Sequence, residues 1–235
     1  MNIDVVRRTV RTRGAAGFAG RVWARLSAPY VSARLASRER TFKFNDTPLE
    51  YCVQPYNRAW LNERAVEVPI AKYYLDRYPP EEVLEVGNVL GHYYPRAHAC
   101  VDKFERGAGV ANQDVLDFRP ARRYGLIISI STLEHVGFDE SARSPIDPEK
   151  IRGVVRHLRS LLQGRGMLLA TTPVGYNPSF DQAAPSLFSE VRYLRRLSFS
   201  NRWSACGEAE CRSCKYDWPF PGANALAVWT AVAAP

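Results

Sequence analysis

The sequence predicts an α/β fold: a doubly wound, mostly parallel sheet of seven strands with an antiparallel last strand, preceded by an N-terminal helical arm. Three observations lead to this prediction. Residues 83–91 read as a short apolar strand followed by a tight turn. Residues 124–131 form an almost unbroken apolar run rich in β-branched side chains, which is typical of a strand buried inside a parallel sheet. Residues 147–173 combine a helix, a glycine turn and another apolar strand, the unit from which such sheets are built.

The positive charge is concentrated in the arm, residues 1–40. This segment holds nine arginines against two acids, a net charge of +7, and only +1 falls on the rest of the chain. Phe18, Val22 and Leu26 recur at helical spacing beside Trp23. Three interpretations stay open: a helix packed on the body with its arginines in water, a helix on an anionic membrane surface, and an organelle-targeting segment.

Composition and length set the other limits. The chain has 235 residues, 46% of them hydrophobic, which is enough for one sizeable core. We expect one domain over residues 41–235, with a lead-in at 41–80 and the core at 81–235. There is no run of 18 apolar residues, so no membrane span is expected. Five cysteines and no secretory signal indicate a reducing compartment, and we expect a cytoplasmic protein, with membrane-peripheral attachment left open by the arm.

The lead-in predicts two short strands and a helix. The strand pieces are 42–44 and 49–51, on either side of Thr47-Pro48. Residues 56–67 then have a helical pattern whose apolar stripe continues through Ile70 towards the prolines at 79 and 80, which end it.

The turn after the strand at 83–86 is suited to a ligand. Gly87 allows a tight turn and a close approach of the backbone, and Gly91 allows close packing behind it. The carboxylate of Glu85 argues against a phosphate ligand and for a cationic group. The spacing also departs from the three-glycine dinucleotide pattern G-x-G-x-x-G.

Residues 83–91 resemble the first motif of class I S-adenosylmethionine (SAM)-dependent methyltransferases, an acid followed by G-x-G-x-G. Val89 stands where that pattern has its middle glycine. The resemblance implies a Rossmann-like sheet and SAM as the cofactor. It also implies that the acid, the turn residues and the residue after the fourth strand contact the cofactor: Glu85, Gly87, Asn88, Gly91 and Ser131.

Two further acids end the next two strands. Asp102 follows the strand 99–101 and lies 17 residues after Glu85, a spacing typical of an acid that binds ribose hydroxyls. Asp114 follows the third strand, where the resemblance implies an acid that accepts a hydrogen bond from adenine; Asp117 is the competing candidate.

The segment Leu133-Glu134-His135 follows the fourth strand and carries the predicted catalytic chemistry. The resemblance is to methyltransferases acting on small molecules. Methylation of a hydroxyl is helped by a base that removes its proton, and histidine titrates in the right range. We predict His135 as this base, with Glu134 orienting it or binding substrate. The alternative is a histidine that only shapes the pocket.

Other candidates are expected to face the methyl acceptor. The resemblance implies that the segment before the first core strand closes over the site, which makes Tyr56, Asn57 and Arg64 candidates; an ordinary packed helix is the alternative. Tyr176, Asn177 and Asp181 follow the fifth strand, 167–173, at the same edge of the sheet.

The C-terminal region predicts a helix over 183–197 and an antiparallel pair of strands over 199–205 and 223–233. Between these strands, Cys206, Cys211 and Cys214 offer three thiols without a fourth donor, so we expect no metal.

The sequence therefore predicts a SAM-dependent methyltransferase that acts on a hydroxyl of a small molecule, such as a sugar or natural product, with a lipid-linked acceptor left open. Two alternatives remain. Val89 and Gly125 depart from the family pattern, which favours a non-catalytic relative. The overall charge favours an RNA methyltransferase, but the Asn/Asp-Pro-Pro-aromatic turn of enzymes that methylate base amino groups is missing, so a nucleic-acid partner is not expected.

Overall fold

The computed structural model describes residues 19, 22, 23, 26–35, 37, 40–139, 144, 145, 147 and 149–233. The helices among them are α1 (26–35), α2 (Arg64–Leu75), α3 (Lys150–Ser160), α4 (Pro178–Ala183) and α5 (Glu208–Arg212). The strands are β1 (Thr41–Phe44), β2 (Thr47–Glu50), β3 (Val83–Val86), β4 (Ala99–Val101), β5 (Val110–Ala111), β6 (Tyr124–Ile130), β7 (Phe138–Asp139), β8 (Ser144–Pro145), β9 (Leu162–Pro173), β10 (Glu190–Arg196), β11 (Trp203–Cys206) and β12 (Ala225–Val232). No described helix is long and apolar enough to cross a bilayer.

The main sheet has the order β11-β10-β12-β9-β6-β3-β4-β5. Its five strands from β9 to β5 are parallel. The strands β12, β10 and β11 then pair antiparallel in succession. The chain runs outward from β3 in one direction and outward from β6 in the other, so the strand order reverses between them. This confirms the predicted doubly wound, mostly parallel sheet.

The sheet gains an eighth strand where the sequence predicted a helix. Residues 190–196 form β10, which lies between β11 and β12 and pairs with both. The two tail segments predicted to pair with each other are therefore separated by this strand. The helix prediction over 183–197 is wrong here because pairing on both sides and the burial of Tyr193 and Leu194 override the local preference of the sequence.

The core lies on both faces of β6, whose seven residues are all buried. Leu126, Ile128 and Ile130 share one cluster with α1 and α2, and Ile127 shares the other with α3. The alternation is the ordinary period of a strand, and here both faces are apolar.

The lead-in forms the two predicted strands, but the helix predicted from residue 56 begins only at Arg64, because residues 56–61 form a 3-10 segment with Asn57 and Arg58 at φ of 48°. Its hairpin β1–β2 turns through Asn45 and Asp46, which have φ values of 50° and 61°, as a tight two-residue hairpin requires. On α2, Val66 and Ile70 are fully buried.

The arm contributes a different face from the one predicted. On α1, Val31 and Leu35 are each 1% exposed and belong to the core, whereas Leu26 is 72% exposed. Phe18 lies outside the described residues. The predicted stripe through Val22 and Leu26 is therefore not the packing face.

A side chain stabilises the start of α3, but the glycines that follow the helix do not end it. The carboxylate of Asp147 accepts hydrogen bonds from the backbone N–H of Glu149 and Lys150 and caps α3, as predicted. The glycines at 164 and 166 lie within β9, where the register against β6 shifts, and do not stop the helix.

Between β3 and β5 every residue is described, and this stretch contains no α-helix. The 3-10 turn Leu90–His92 is its one helical piece. The carboxyl ends of β3 and β4 are consequently supported by loops.

Candidate functional site

A cavity of about 630 Å³ opens at the carboxyl ends of β3, β4 and β6. It lies where the strand order reverses, the usual place for a ligand in an open α/β sheet. Five predicted site residues are among those that line it: Gly87, Asp102, Asp114, Ser131 and His135.

Gly87 is required by the turn. Its φ is +86°, and a Cβ at this position would lie 2.2 Å from Oγ1 of Thr132. The backbone therefore approaches the tip of β6 more closely than any other residue type allows.

Glu85 does not face the cavity, which corrects the prediction that it contacts the cofactor. It is fully buried, and its Oε1 accepts hydrogen bonds from the backbone N–H of Val89 at 2.8 Å and of Leu90 at 2.6 Å. Its Oε2 lies 2.9 Å from Nε2 of His98. The acid thus stabilises the turn, because its carboxylate accepts hydrogen bonds from two backbone N–H groups of that turn.

Asn88 and Gly91 are also absent from the described residues that line the cavity. The backbone N–H of Asn88 donates to Oδ2 of Asp102 at 2.9 Å, and its side-chain Oδ1 accepts from Arg96 at 2.5 Å. A Cβ at Gly91 would lie 2.6 Å from that same Oδ1. These two residues hold the turn in place instead of contacting the cavity.

Asp102 is fixed at the end of β4. Its Oδ1 accepts from the backbone N–H of Phe104 at 2.8 Å and of Glu105 at 2.7 Å, while Oδ2 accepts from the Asn88 N–H alone among the residues that the structure describes. An ionised carboxylate oxygen can accept two hydrogen bonds, so Oδ2 retains capacity for a ligand hydroxyl.

Asp114 lines the cavity and Asp117 is exposed outside it, so the geometry favours the first of the two candidates. Its Oδ2 lies 3.0 Å from Nζ of Lys103 and 3.3 Å from Nζ of Lys150. Burial alone would raise the pKa of Asp114, but the Leu116 N–H and the two ammonium groups outweigh it and lower this pKa to about 2. The acid is therefore ionised at every physiological pH.

Phe104 is one of several cavity residues that the sequence did not predict; Lys103 and Lys150 are others. Its ring is 84% exposed on the cavity wall, with the Lys103 ammonium 5.7 Å from the ring centroid. The signal was an aromatic residue two positions after the acid that ends β4. An exposed aromatic face beside an acid suits a flat, polar ring system.

Behind Ser131 lies a buried layer of charged groups that also escaped prediction. Ser131 has φ of 39° and donates its hydroxyl to Oε1 of Glu67 at 2.6 Å. The same oxygen accepts from Thr171 at 2.8 Å, and the other accepts from Arg64 at 2.7 Å. Helix α2 is thus tied to the ends of β6 and β9.

Glu134 belongs to this buried layer. Its side chain is 2% exposed, and its Oε2 is buried without a hydrogen-bond partner among the described residues. Burial raises the pKa of Glu134 well above its ordinary range, and the Glu67 carboxylate acts in the same direction. Burial also raises the pKa of Glu63, again with help from Glu67.

His135 connects the cavity to the buried layer. Its side chain is 38% exposed, and Nε2 lies 3.7 Å from Oε1 of Glu134. The Tyr176 hydroxyl lies 3.4 Å from Nδ1, with the two rings edge to face at 5.0 Å between centroids. A histidine held between a carboxyl and a phenol can accept and pass on a proton.

Three predicted acceptor residues take structural positions. Asn177 is 3% exposed; its Oδ1 accepts from the backbone at the start of α4 and its amide donates to the Glu134 carbonyl. Tyr56 stacks on His92 with 4.1 Å between ring centroids, and the Asn57 carbonyl accepts from Asn62. Neither Tyr56 nor Asn57 lines the cavity, which corrects their assignment to a lid over it.

Arg64 is the third lid candidate, and it is also absent from the cavity wall. It pairs with Glu67, and the carboxylates around it raise its pKa even though burial acts to lower it. Asp181 is likewise structural: its Oδ2 accepts from the Gly175 N–H at 2.7 Å.

A second, larger groove of about 1010 Å³ lies between the hairpin β1–β2 and the strands β10 and β11. None of the predicted site residues lines it. Within the described part of the chain, no group of three His, Cys, Asp or Glu side chains could hold a metal, and all five cysteines are free thiols.

No protein-family model matches this chain, and no curated protein matches it in sequence. Solved structures do resemble it. The N-methyltransferase NodS from Bradyrhizobium japonicum, in complex with S-adenosyl-L-homocysteine, is 13% identical with a TM-score of 0.45, over 87% of this chain and 98% of that one.

Two SAM-dependent methyltransferases give similar figures. The one from Clostridium acetobutylicum is 11% identical with a TM-score of 0.39, and the match covers 70% of this chain and 89% of that one. The one from Archaeoglobus fulgidus is 14% identical, covers 68% and 92%, and has a TM-score of 0.40. At such low identity and TM-score the functional assignment depends on the cavity itself.

Proposed function

We propose that this chain is a SAM-dependent methyltransferase that transfers a methyl group to a hydroxyl of a small molecule. The observation that carries the proposal is the grouping of Gly87, Asp102 and His135 around one cavity at the reversal of strand order. A volume of about 630 Å³ is in the range of small-molecule sites.

The cavity wall fits a nucleoside. The exposed ring of Phe104 offers a surface for a base, and the uncommitted capacity of Asp102 Oδ2 suits a ribose hydroxyl. Asp114 can accept from an amino group at the edge of that base. When bound, SAM supplies an electrophilic methyl group on a sulfonium centre.

The residues beyond Ser131 suit proton transfer. His135 is the cavity residue able to take a proton from an acceptor hydroxyl, and Glu134 and Tyr176 hold its ring from opposite sides. Because its raised pKa keeps Glu134 protonated, this carboxyl is a neutral neighbour of the imidazole, 3.7 Å from Nε2, and not its counter-ion. The cavity volume of about 630 Å³ supports a small acceptor.

Calorimetry with SAM tests the cofactor assignment. We expect binding by the full chain, and a roughly 5- to 150-fold loss of affinity in Asp102→Asn, because a buried ligand group loses its acceptor. Asp117→Asn is the control, since Asp117 is exposed and off the cavity. Absence of binding at about 1 mM SAM would favour the alternative, a methyltransferase-like protein without catalysis.

Release of S-adenosyl-L-homocysteine with a panel of sugars and phenols tests the acceptor and the base. We expect His135→Asn to keep SAM affinity and to reduce turnover by about 100-fold or more. His157→Asn, on α3, is the matched control. Activity confined to amines or to RNA would contradict the hydroxyl assignment.

A further inference from the structure

One face of α1 carries large apolar side chains in water. Trp23, Leu26 and Tyr30 are 57%, 72% and 60% exposed. They are three and four positions apart, so they share one side of the helix, and residues 22 and 23 are helical like 26–35.

The opposite face of the helix is the one that packs. Val31 and Leu35 are each 1% exposed and belong to the core. The exposed face is therefore not left over from poor packing, because the helix is already anchored from behind. We refer to Trp23, Leu26 and Tyr30 as the exposed α1 face.

The sequence around this face is strongly basic. Residues 1–40 carry nine arginines and two acids, whereas the rest of the chain is close to neutral. Arg34 lies on the same side and donates a hydrogen bond to the Tyr30 hydroxyl at 2.7 Å. Apolar and aromatic side chains next to arginines are the chemistry that binds an anionic lipid interface.

We propose that the exposed α1 face docks this protein on an anionic membrane surface. Trp23 and Leu26 enter the boundary between headgroups and acyl chains, Tyr30 lies at headgroup level, and the net positive charge of residues 1–40 attracts the anionic headgroups. The helix lies in the plane of the interface and does not span it. This attachment is independent of the proposed methyl transfer.

Charge argues for lipid over a second copy of the chain. Two copies meeting through this face would bring two segments of net charge +7 together. Three side chains also bury much less than the roughly 800 Å² per partner of a stable protein interface.

Flotation with lipid vesicles tests the proposal on the full chain. We expect binding to vesicles with about 30% phosphatidylglycerol in phosphatidylcholine, weakening as salt rises from about 0.1 M to 0.5 M, and little binding to phosphatidylcholine alone. The variant Trp23→Ser/Leu26→Ser/Tyr30→Ser should bind at least about tenfold more weakly. Leu197→Ser/Trp218→Ser removes exposed apolar groups elsewhere and should bind like the wild type.

A second variant keeps the test decisive if the triple variant folds poorly. Replacing Arg7, Arg8, Arg11 and Arg13 with Gln leaves the helix face intact and should reduce binding by roughly 100-fold or more. Equal binding to neutral and anionic vesicles, or unchanged binding by both variants, would overturn the proposal. So would a dimer in light scattering that the triple variant converts to monomer.

Discussion

Asp114 and Glu134 are two acids near one cavity, and their surroundings act on them in opposite directions. Asp114 faces two ammonium groups and a backbone N–H, which lower its pKa to about 2 despite burial. Burial raises the pKa of Glu134, and the neighbouring Glu67 and Glu63 carboxylates raise it further against the opposing effect of Arg64. The cavity wall thus offers fixed charge for recognition, and the layer behind it offers a carboxyl able to hold a proton.

The largest expected effect is at Gly87, which lines the cavity and lies against Thr132. Gly87→Ala should destabilise the fold by about 2–4 kcal/mol, because its φ is positive and the new Cβ would clash with Thr132. Chemical denaturation measures this. Gly153→Ala, on α3 with open space around it, should instead stabilise by about 0.5–1 kcal/mol. Equal effects would show that the turn does not require glycine.

Asp181 tests whether burial sets the direction of the pKa shift of a buried acid. Burial raises its pKa to about 6, although the Gly175 N–H and Arg212 oppose the shift. The folded protein holds this proton more tightly than the unfolded chain, so the stability it contributes at low pH is lost as the pH rises from about 4 to above 6. The wild type loses up to about 3 kcal/mol of stability over this pH range, and we expect Asp181→Asn not to show this loss. Denaturation midpoints across this range that match the wild type would contradict this.

Glu134→Gln should act in the same direction through the neighbouring carboxylates. The contribution of Glu134 to stability is present below its ordinary pKa of 4.5 and is lost as the pH rises through the higher folded value. The neutral amide should therefore stabilise the protein at pH 8 by about 1–3 kcal/mol relative to the wild type. Glu105→Gln, near the cavity but not buried in the layer, should show no such gain.

The smallest effect is expected at Asp114, with the opposite pH dependence. Its lowered pKa contributes stability above about pH 4 that is lost as the pH falls towards 2. Asp114→Asn should cost at most about 1 kcal/mol at pH 7, because solvent screens these ion pairs. A gain in stability at neutral pH would remove the contrast between the two acids.

The parallel half of the sheet could be predicted because its signals are local. Each signal lies within or just after one strand: the apolar run is β6 itself, and an acid follows β4 and β5. The cavity residues Asp102, Asp114 and His135 can therefore be located from the sequence. The buried layer could not be predicted, since Glu67 reaches Ser131 and Thr171 across 64 and 104 residues. The same holds for β10, whose strand state depends on neighbours far along the chain.

Glu85 shows a different limit. Its residue type and spacing match a ligand-binding acid, but its carboxylate accepts hydrogen bonds from the backbone N–H groups of Val89 and Leu90 in its own turn. Sequence spacing identifies which side chains lie near a site. It does not reveal which of them hydrogen-bond to the backbone instead of to a ligand.

The helix-free stretch between β3 and β5 has a practical consequence. Side-chain bonds to loop backbone hold this rim, so its amide protons should exchange quickly with solvent in the free protein. Anything that occupies the cavity should slow that exchange and raise the melting temperature. Nucleoside compounds can therefore be ranked as ligands of the cofactor site by the amides they protect near Asp102 and Phe104, before any turnover is detected.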